Sequence, residues 1–211
     1  MIDRIAVKNR IIDITAKHRL SHLGSCLNAI PPLCDVYDEA GGTDPVILSA
    51  GHAGLSLYCV LQEMYGHNAE QLLNDHGIHP TYDPGRGIWC STGSLGCGIT
   101  IALGYALANR ARNTYCIISD GEAAEGSVWE TLSLATELNV KNFKVIAILN
   151  GFAAYKQVEQ GILEARLHAF NPLVKVYKTQ GCPELDAIGI HGLAQHYHVI
   201  TTEQAEALRS A

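Results

Sequence analysis

The chain has 211 residues, of which 47% are hydrophobic and 17% are charged, and its formal net charge is −6. This length and composition predict one soluble domain over residues 1–211 with a full hydrophobic core. No cluster of basic residues occurs, which argues against nucleic acid as a partner, and no apolar stretch is long enough to span a membrane. The seven cysteines form no Cys-x-x-Cys pair and the N-terminus lacks a signal-peptide core, so we expect reduced thiols and a cytoplasmic protein.

Apolar periodicity and turn residues predict alternating helices and strands along the chain. The predicted helices span residues 5–20, 55–65, 70–75, 96–109, 125–138, 163–170 and 203–210, and the predicted strands span residues 46–49, 115–119, 145–149 and 173–177. The strands at 115–119 and 145–149 are short, β-branched and followed by glycine, which is typical of buried parallel strands. This alternation predicts an α/β fold, a doubly wound, mostly parallel sheet with helices on both faces.

Two polar side chains follow the central strands. Asp120-Gly121 comes directly after the strand at 115–119, and Asn150-Gly151 comes directly after the strand at 145–149. A right-handed crossover would bring both to the same edge of the sheet, where ligands of such sheets bind. One carboxylate and one amide oxygen suit Mg²⁺. An Asp-Gly pair at a strand end is more often a plain turn, and we expect such a carboxylate to contribute little to the core.

Four histidines share one setting, because each lies close to a glycine or proline in a predicted loop: His22, His52, His79 and His191. A lone loop histidine is usually solvated, but four that converge on one sheet edge could donate to phosphate and shuttle protons near neutral pH. Five other histidines lack this context, and we interpret them as structural or surface residues: His18, His67, His168, His196 and His198. The pair His196 and His198 alternates like metal ligands but has no third candidate ligand nearby.

A set of short motifs, in constant order along nearly the whole chain, resembles the N-terminal, diphosphate-binding domain of transketolase. The motifs are Ser21-His22-Leu23-Gly24, Ser49-Ala50-Gly51-His52-Ala53, His79-Pro80, Ser91-Thr92-Gly93-Ser94-Leu95-Gly96, Ser119-Asp120-Gly121-Glu122 with Glu125-Gly126 and Trp129-Glu130, Asn150, Lys178-Thr179 with Gly181, and His191-Gly192. Each motif alone is weak, whereas the ordered set is specific.

The resemblance implies a thiamine diphosphate-binding fold, with Mg²⁺ held by Asp120, Asn150 and the main-chain carbonyl of Phe152. It also implies that the four loop histidines are catalytic: His52 and His191 would touch the diphosphate and substrate, and His22 and His79 would face the donor hydroxyls. The other cofactor-binding residues that it implies are Gly93, Ser94, Leu95, Gly121, Glu122 and Glu125. For Leu95 plain core packing stays open, and for Glu125 a first-turn carboxylate favoured by the helix dipole.

The implied reaction transfers a two-carbon ketol unit from a ketose to an aldose, with sugar or sugar-phosphate substrates. The family's pyrimidine-binding domain is missing from this sequence, so we expect a heterotetramer with a C-terminal transketolase-like partner subunit. Leu23 and Ser94 stand where the family has proline, Ser119 stands where it has glycine, and the segment after Asn150 is short. Two alternatives stay open: another thiamine diphosphate carboligase, of the 1-deoxyxylulose or acyloin type, and a non-catalytic subunit that retains the fold.

Overall fold

The computed structural model describes residues 1–153 and 156–210. The helices in this part of the chain are α1 (Arg4–His18), α2 (Leu23–Glu39), α3 (Gly54–Tyr65), α4 (Ala69–His76), α5 (Cys97–Ala108), α6 (Gly126–Glu137), α7 (Gln160–Phe170), α8 (Pro183–Ala187), α9 (Ala194–Tyr197) and α10 (Thr202–Ser210). The strands are β1 (Val46–Leu48), β2 (Thr114–Ser119), β3 (Phe143–Leu149), β4 (Phe152–Ala153), β5 (Lys156–Gln157) and β6 (Lys175–Lys178). Short 3₁₀ turns follow β1 and β2, at Gly51–Ala53 and Asp120–Ala124.

β1, β2, β3 and β6 form a parallel sheet of four strands in that order. Successive strand residues point to opposite faces, so Tyr115 and Ile117 on β2 join one core and Cys116 and Ile118 join another. The first core is completed by α1 to α4 and α10, and the second by α5, α6 and α7. Helices therefore cover both faces, which confirms the predicted doubly wound, mostly parallel α/β fold.

α2 is a buried helix that the sequence patterns do not predict. It contains two consecutive prolines, Pro31 and Pro32, and each removes a hydrogen-bond donor from the helix interior. The helix forms because its apolar residues lie in the core, where Leu23, Leu27 and Leu33 are at most 4% exposed. Tertiary burial here outweighs local propensity. The patterns also miss α8, α9 and the antiparallel β4–β5 pair, which are only two to five residues long.

The other predicted elements agree with the structure to within a few residues. α1 ends at His18 because Arg19 adopts a left-handed conformation with a φ of +54°. α7 begins at Gln160, earlier than predicted, because Glu159 accepts hydrogen bonds from the backbone N–H groups of Gly161 and Ile162 and so caps the helix.

Two expectations about the whole chain can be compared with the structure. Within residues 1–153 and 156–210, no helix combines the length and the hydropathy needed to cross a membrane. All seven cysteines carry free thiols, and six of them are buried. The buried thiols act as small apolar groups of the core.

α5 packs against the end of β1 through a glycine. A Cβ atom added to Gly98 would lie only 2.7 Å from the Cα atom of Ser49 and 2.6 Å from its Oγ. By contrast, a Cβ atom added to Gly104, on the same helix, would meet no described atom within 4 Å apart from nearby backbone of its own helix. The absence of a side chain at Gly98 therefore lets the start of α5 pack directly on the backbone at the end of β1.

We predict opposite effects for alanine at these two positions. Gly98→Ala should lower the free energy of unfolding by roughly 1–3 kcal/mol, because the new methyl group overlaps backbone that must shift. Gly104→Ala should raise it by up to about 1 kcal/mol, because alanine favours a helix interior. Urea unfolding of the full chain followed by circular dichroism measures both changes. Equal stability of the two variants would contradict the close packing of α5 on β1.

Candidate functional site

The carboxyl ends of β1, β2 and β3 open into one cavity of about 220 Å³. The crevice beyond the carboxyl ends of parallel strands is where open α/β sheets bind their ligands. The residues that line the cavity are His22, Ser25, Asn28, Ala50, His52, Ala53, His79, Gly93, Leu95, Ser119, Asp120, Gly121, Ile148, Asn150, Phe152 and His196. Most residues singled out from the sequence thus share one space.

Asp120 is a buried carboxylate at the end of β2, with 4% of its surface exposed. Its Oδ2 accepts hydrogen bonds from the backbone N–H groups of Asn150 (3.1 Å) and Gly151 (2.9 Å), and its Oδ1 accepts one from Gly121 (3.1 Å). Burial raises the pKa of Asp120 to about 6, and these hydrogen bonds oppose the rise. Asp120 therefore ties the end of β2 to the loop after β3, contrary to the expectation that it contributes little to the core.

Asn150 lies in the loop between β3 and β4. Its Oδ1 accepts a hydrogen bond from the backbone N–H of Phe152 at 2.8 Å. Gly151, between them, has a φ of +86°, which is the left-handed conformation that favours glycine. An amide oxygen has two lone pairs, so Asn150 Oδ1 can accept one further bond beside the one from Phe152.

Glu122 is buried next to the cavity but does not line it. Its Oε1 accepts hydrogen bonds from Ser49 Oγ (2.5 Å) and the backbone N–H of Gly96 (3.0 Å), and its Oε2 accepts one from the backbone N–H of Ser119 (3.1 Å). Burial raises the pKa of Glu122. The carboxylate therefore joins the ends of β1 and β2 to the start of α5, and its oxygens serve protein donors.

Three imidazole rings meet on one side of the cavity. The ring centroids of His22 and His196 lie 4.4 Å apart, those of His52 and His196 lie 5.4 Å apart, and those of His22 and His52 lie 5.6 Å apart. The Nδ1 atom of His22 lies 2.6 Å from Ser21 Oγ. His22 has a φ of +68°, a left-handed conformation that is uncommon outside glycine.

These rings are neutral at neutral pH. Burial, followed by repulsion from His196 and His79, lowers the pKa of His22 to about 4. Burial, followed by repulsion from His196, His22 and His79, lowers the pKa of His52 to about 3. Burial also lowers the pKa of His196. Because a neutral imidazole donates at one nitrogen and accepts at the other, the cluster can bind hydroxyl groups and accept a proton from one of them.

Glycines bring a second loop to the cavity wall. A Cβ atom added to Gly51 would lie 2.6 Å from the backbone nitrogen of Gly93, so the turn after β1 packs directly on that loop. Gly93 has a φ of +145°, and a Cβ atom there would lie 3.1 Å from the ring of His79. These close approaches place Gly93, His79 and the half-buried Leu95 beside the strand ends.

Besides Glu122, three residues that the sequence indicated for the site lie outside the cavity lining. His191 is exposed, and its Nδ1 atom lies 2.7 Å from Asp186 Oδ1. Ser94 is exposed on the loop beside Leu95. Glu125 stands at the start of α6, also exposed, and its side chain makes no capping hydrogen bond to that helix.

Comparisons with known proteins agree with this architecture. Residues 39–172 match the family model described as the thiamine diphosphate-binding domain of transketolase. The chain belongs to the transketolase family. Asp120, Asn150, Phe152, His52 and His79 lie inside the matched range.

Individual transketolases show how much of a longer protein is matched. Human transketolase is 34% identical over 142 residues, which cover 60% of this chain and 23% of that protein. An apulose-4-phosphate transketolase subunit from Actinobacillus succinogenes is 28% identical over 166 residues, which cover 67% of this chain and 59% of that one. The transketolase structure from Campylobacter jejuni shares the fold, with a TM-score of 0.78 and 19% identity over 98% of this chain and 42% of its own. This chain thus spans less than two thirds of each of these relatives.

The donor set of the cavity fits the cofactor of the transketolase family. Asp120 accepts hydrogen bonds from three backbone N–H groups, and a carboxylate is the ligand type that a hard cation such as Mg²⁺ prefers. Among the described residues, no cationic side chain lowers the pKa of Asp120 against the effect of its burial. Gly121 lines the cavity, and a Cβ atom added to it would meet Ala153 Cα and Ser119 Oγ at 3.8 Å, which is ordinary contact, so protein packing does not require glycine there.

Sequence reasoning missed His196, Ser25 and Asn28 as cavity residues. From the sequence, His196 is interpreted as a structural or surface residue, whereas its ring lies in the imidazole cluster and lines the cavity. In the sequence, only the alternation of His196 and His198 singles out this residue, and that pattern suggests a pair of metal ligands and not a histidine that lines the cavity. Across residues 1–153 and 156–210, no group of three or more histidine, cysteine or carboxylate side chains is arranged to hold a metal.

We predict that His52 makes the fold sensitive to acid. Its pKa is lower in the folded chain than the ordinary 6.5, so below that pH the unfolded chain binds the proton first and stability falls as pH falls. His52→Gln removes this proton-binding difference and should flatten the loss of stability between neutral pH and about pH 4.

Urea midpoints measured across that pH range test the prediction, with His168→Gln, an exposed histidine on α7, as the matched control. The control should keep the wild-type slope. A His52→Gln chain with an unchanged slope would show that this ring is not held neutral by the fold.

Proposed function

We propose that this chain is the diphosphate-binding subunit of a two-chain, thiamine diphosphate- and Mg²⁺-dependent enzyme that transfers a two-carbon ketol unit from a ketose to an aldose. The observation that carries the proposal is one shared cavity: Asp120 and Asn150 line it together with His22, His52 and His79. Oxygen ligands for a hard cation thus stand beside neutral imidazoles suited to sugar hydroxyls.

The residues around the strand ends would hold the cofactor. Asp120, Asn150 and the main-chain carbonyl of Phe152 would bind Mg²⁺, which would in turn bind the diphosphate. Gly121 and Gly93 would let backbone approach the cofactor, and Leu95 would pack against it. For Glu122 the geometry favours a different contribution, because its oxygens already accept three hydrogen bonds from the protein. It would hold these cofactor-binding segments in place.

The histidines would bind and orient the sugar. Bound thiamine diphosphate supplies an electron sink for breaking the carbon–carbon bond beside the ketose carbonyl. His22 and His79 would donate to and accept from the donor hydroxyls. His52 would contact the diphosphate and the substrate, and its neutral ring could take a hydroxyl proton.

A second chain would complete the enzyme. Relatives named as subunits of an apulose-4-phosphate transketolase and of a 6-deoxy-6-sulfo-D-fructose transketolase match this chain over 54 to 59% of their own lengths. We propose that residues 1–211 act as one domain and pair with a C-terminal transketolase-like subunit that carries a pyrimidine-binding domain and covers the cavity near Leu95. Closed symmetry would make the assembly a heterotetramer.

Seven free thiols support a cytoplasmic location.

We predict that the charge of Asp120 is required for cofactor binding. Asp120→Asn keeps one oxygen, which can accept the hydrogen bonds from Asn150 and Gly151, and loses only the acceptor that faces the N–H of Gly121. It removes the negative charge, so Mg²⁺-dependent binding of thiamine diphosphate should weaken by at least about 100-fold. Asn150→Ala should weaken it less. Calorimetry on the chain assembled with its partner measures both, and Asp75→Asn, an exposed carboxylate on α4, is the control. Unchanged affinity in Asp120→Asn would rule out this metal site.

The proposed reaction is tested by mixing. The purified chain, with thiamine diphosphate and Mg²⁺, should transfer no ketol unit from a panel of ketoses and should do so once a C-terminal transketolase-like subunit is added. The Asp120→Asn chain, mixed in the same way, is the control. Activity of the chain alone would contradict the two-chain proposal, and activity with pyruvate but no ketose would favour a 1-deoxyxylulose or acyloin synthase.

A further inference from the structure

Two histidines near the end of the chain, His191 and His196, are candidates for the same role in the site. His191 stands in the His-Gly motif, but 67% of its side-chain surface is exposed and it pairs with Asp186. It does not line the cavity, whereas His196 does. The motif and the geometry therefore point to different residues.

The segment that carries His196 is held in place by a buried amide. Gln195, on α9, is 5% exposed, and its Oε1 accepts a hydrogen bond from the backbone N–H of Cys182 at 2.7 Å. Its Nε2 lies within hydrogen-bond distance of the carbonyl oxygens of Cys182 (3.0 Å) and Ile190 (2.9 Å). A Cβ atom added to Gly181 would lie 2.7 Å from Gln195 Oε1, so glycine is needed beside this amide.

The start of α2 fixes the ring from the other side. The backbone N–H of His22 donates to the carbonyl oxygen of His196 at 2.9 Å, and Ser25 Oγ lies 3.4 Å from His196 Nδ1. The His22 and His196 rings meet edge to face at 69°. A Cβ atom added to Gly24 would lie 3.0 Å from the carbonyl oxygen of Gln195, which shows how closely α9 packs on α2.

We infer that His196, and not His191, is the histidine from the C-terminal part of the chain that completes the imidazole cluster and contacts the sugar held between His22 and His52. This inference rests on the proposed function and names a further residue for the same reaction. His196 is the only member of the competing pair whose ring lies beside those two histidines in the described part of the chain. Its ring can donate to one sugar oxygen and accept from another.

The first test is steady-state ketol transfer by the assembled two-chain enzyme. His196→Phe keeps a ring against His22 but loses both nitrogens, and kcat/KM should fall roughly 100-fold. His196→Gln, which retains a side-chain amide, should recover part of that loss and guards against a folding defect. The fall in kcat/KM should be at least about tenfold smaller for His191→Gln than for His196→Phe. His168→Gln is the surface control. A larger loss in His191→Gln than in His196→Phe would overturn the inference.

The second test is independent of turnover. We propose to record the imidazole nitrogen and carbon NMR signals of this chain, assembled with its partner, while thiamine diphosphate, Mg²⁺ and then a ketose are added. Signals of His22, His52 and His196 should move together, and the signal of His191 should stay in place. Movement of His22 and His52 with His191 but without His196 would overturn the inference and leave the proposed function intact. No movement of any histidine signal would count against both.

Discussion

The rest of the site depends on the hydrogen bonds that the Asp120 carboxylate accepts from the loop after β3. They connect the end of β2 directly to the loop that carries Asn150 and Phe152, at the cavity floor. Two parallel strands bring these residues to one edge, but they do not by themselves set the path of the chain beyond that edge. Burial raises the pKa of Asp120, so the same carboxylate that orders the loop is poorly solvated and gains from a bound cation.

The cavity combines this one carboxylate with imidazoles that burial and mutual repulsion keep uncharged. His22, His52 and His196 are close enough to repel one another once protonated, so a cluster of histidines at this spacing stays neutral. Neutral rings suit hydroxyl-rich ligands, because each ring can donate and accept. Among the described residues that line the cavity, none is a lysine or arginine. A negatively charged ligand therefore meets no lysine or arginine side chain in this cavity lining.

The sheet and the positions of Asp120 and Asn150 could be predicted from the sequence because they depend on local patterns. β-branched runs that end in glycine mark buried parallel strands, and a polar residue directly after such a run lies at the strand end. α2 could not be predicted in the same way, because Pro31 and Pro32 oppose a helix locally and only contacts with distant core residues stabilise it.

The imidazole cluster shows the same limit. His22 and His52 lie within glycine-containing motifs. His196 has no such motif, and its position depends on the hydrogen bonds between the buried amide of Gln195 and Cys182. The bonds of Gln195 span 13 residues, and His196 also meets Ser25 on α2, which is 171 residues away, so no local sequence pattern indicates these contacts. Conversely, the motif around His191 predicts a site position, but the structure pairs this ring with Asp186 on the surface. The sequence resemblance locates the closing segment, and only packing decides which of its histidines faces inward.

The most direct measurement is a crystal structure of the assembled enzyme grown with thiamine diphosphate and Mn²⁺ in place of Mg²⁺, with anomalous scattering recorded at the manganese edge. We predict one manganese peak in each copy of this chain, bonded to the Asp120 carboxylate and Asn150 Oδ1, with the diphosphate beside Gly121. A manganese ion bonded to other side chains, or a cofactor bound outside the cavity at the ends of β1, β2 and β3, would contradict the assignment.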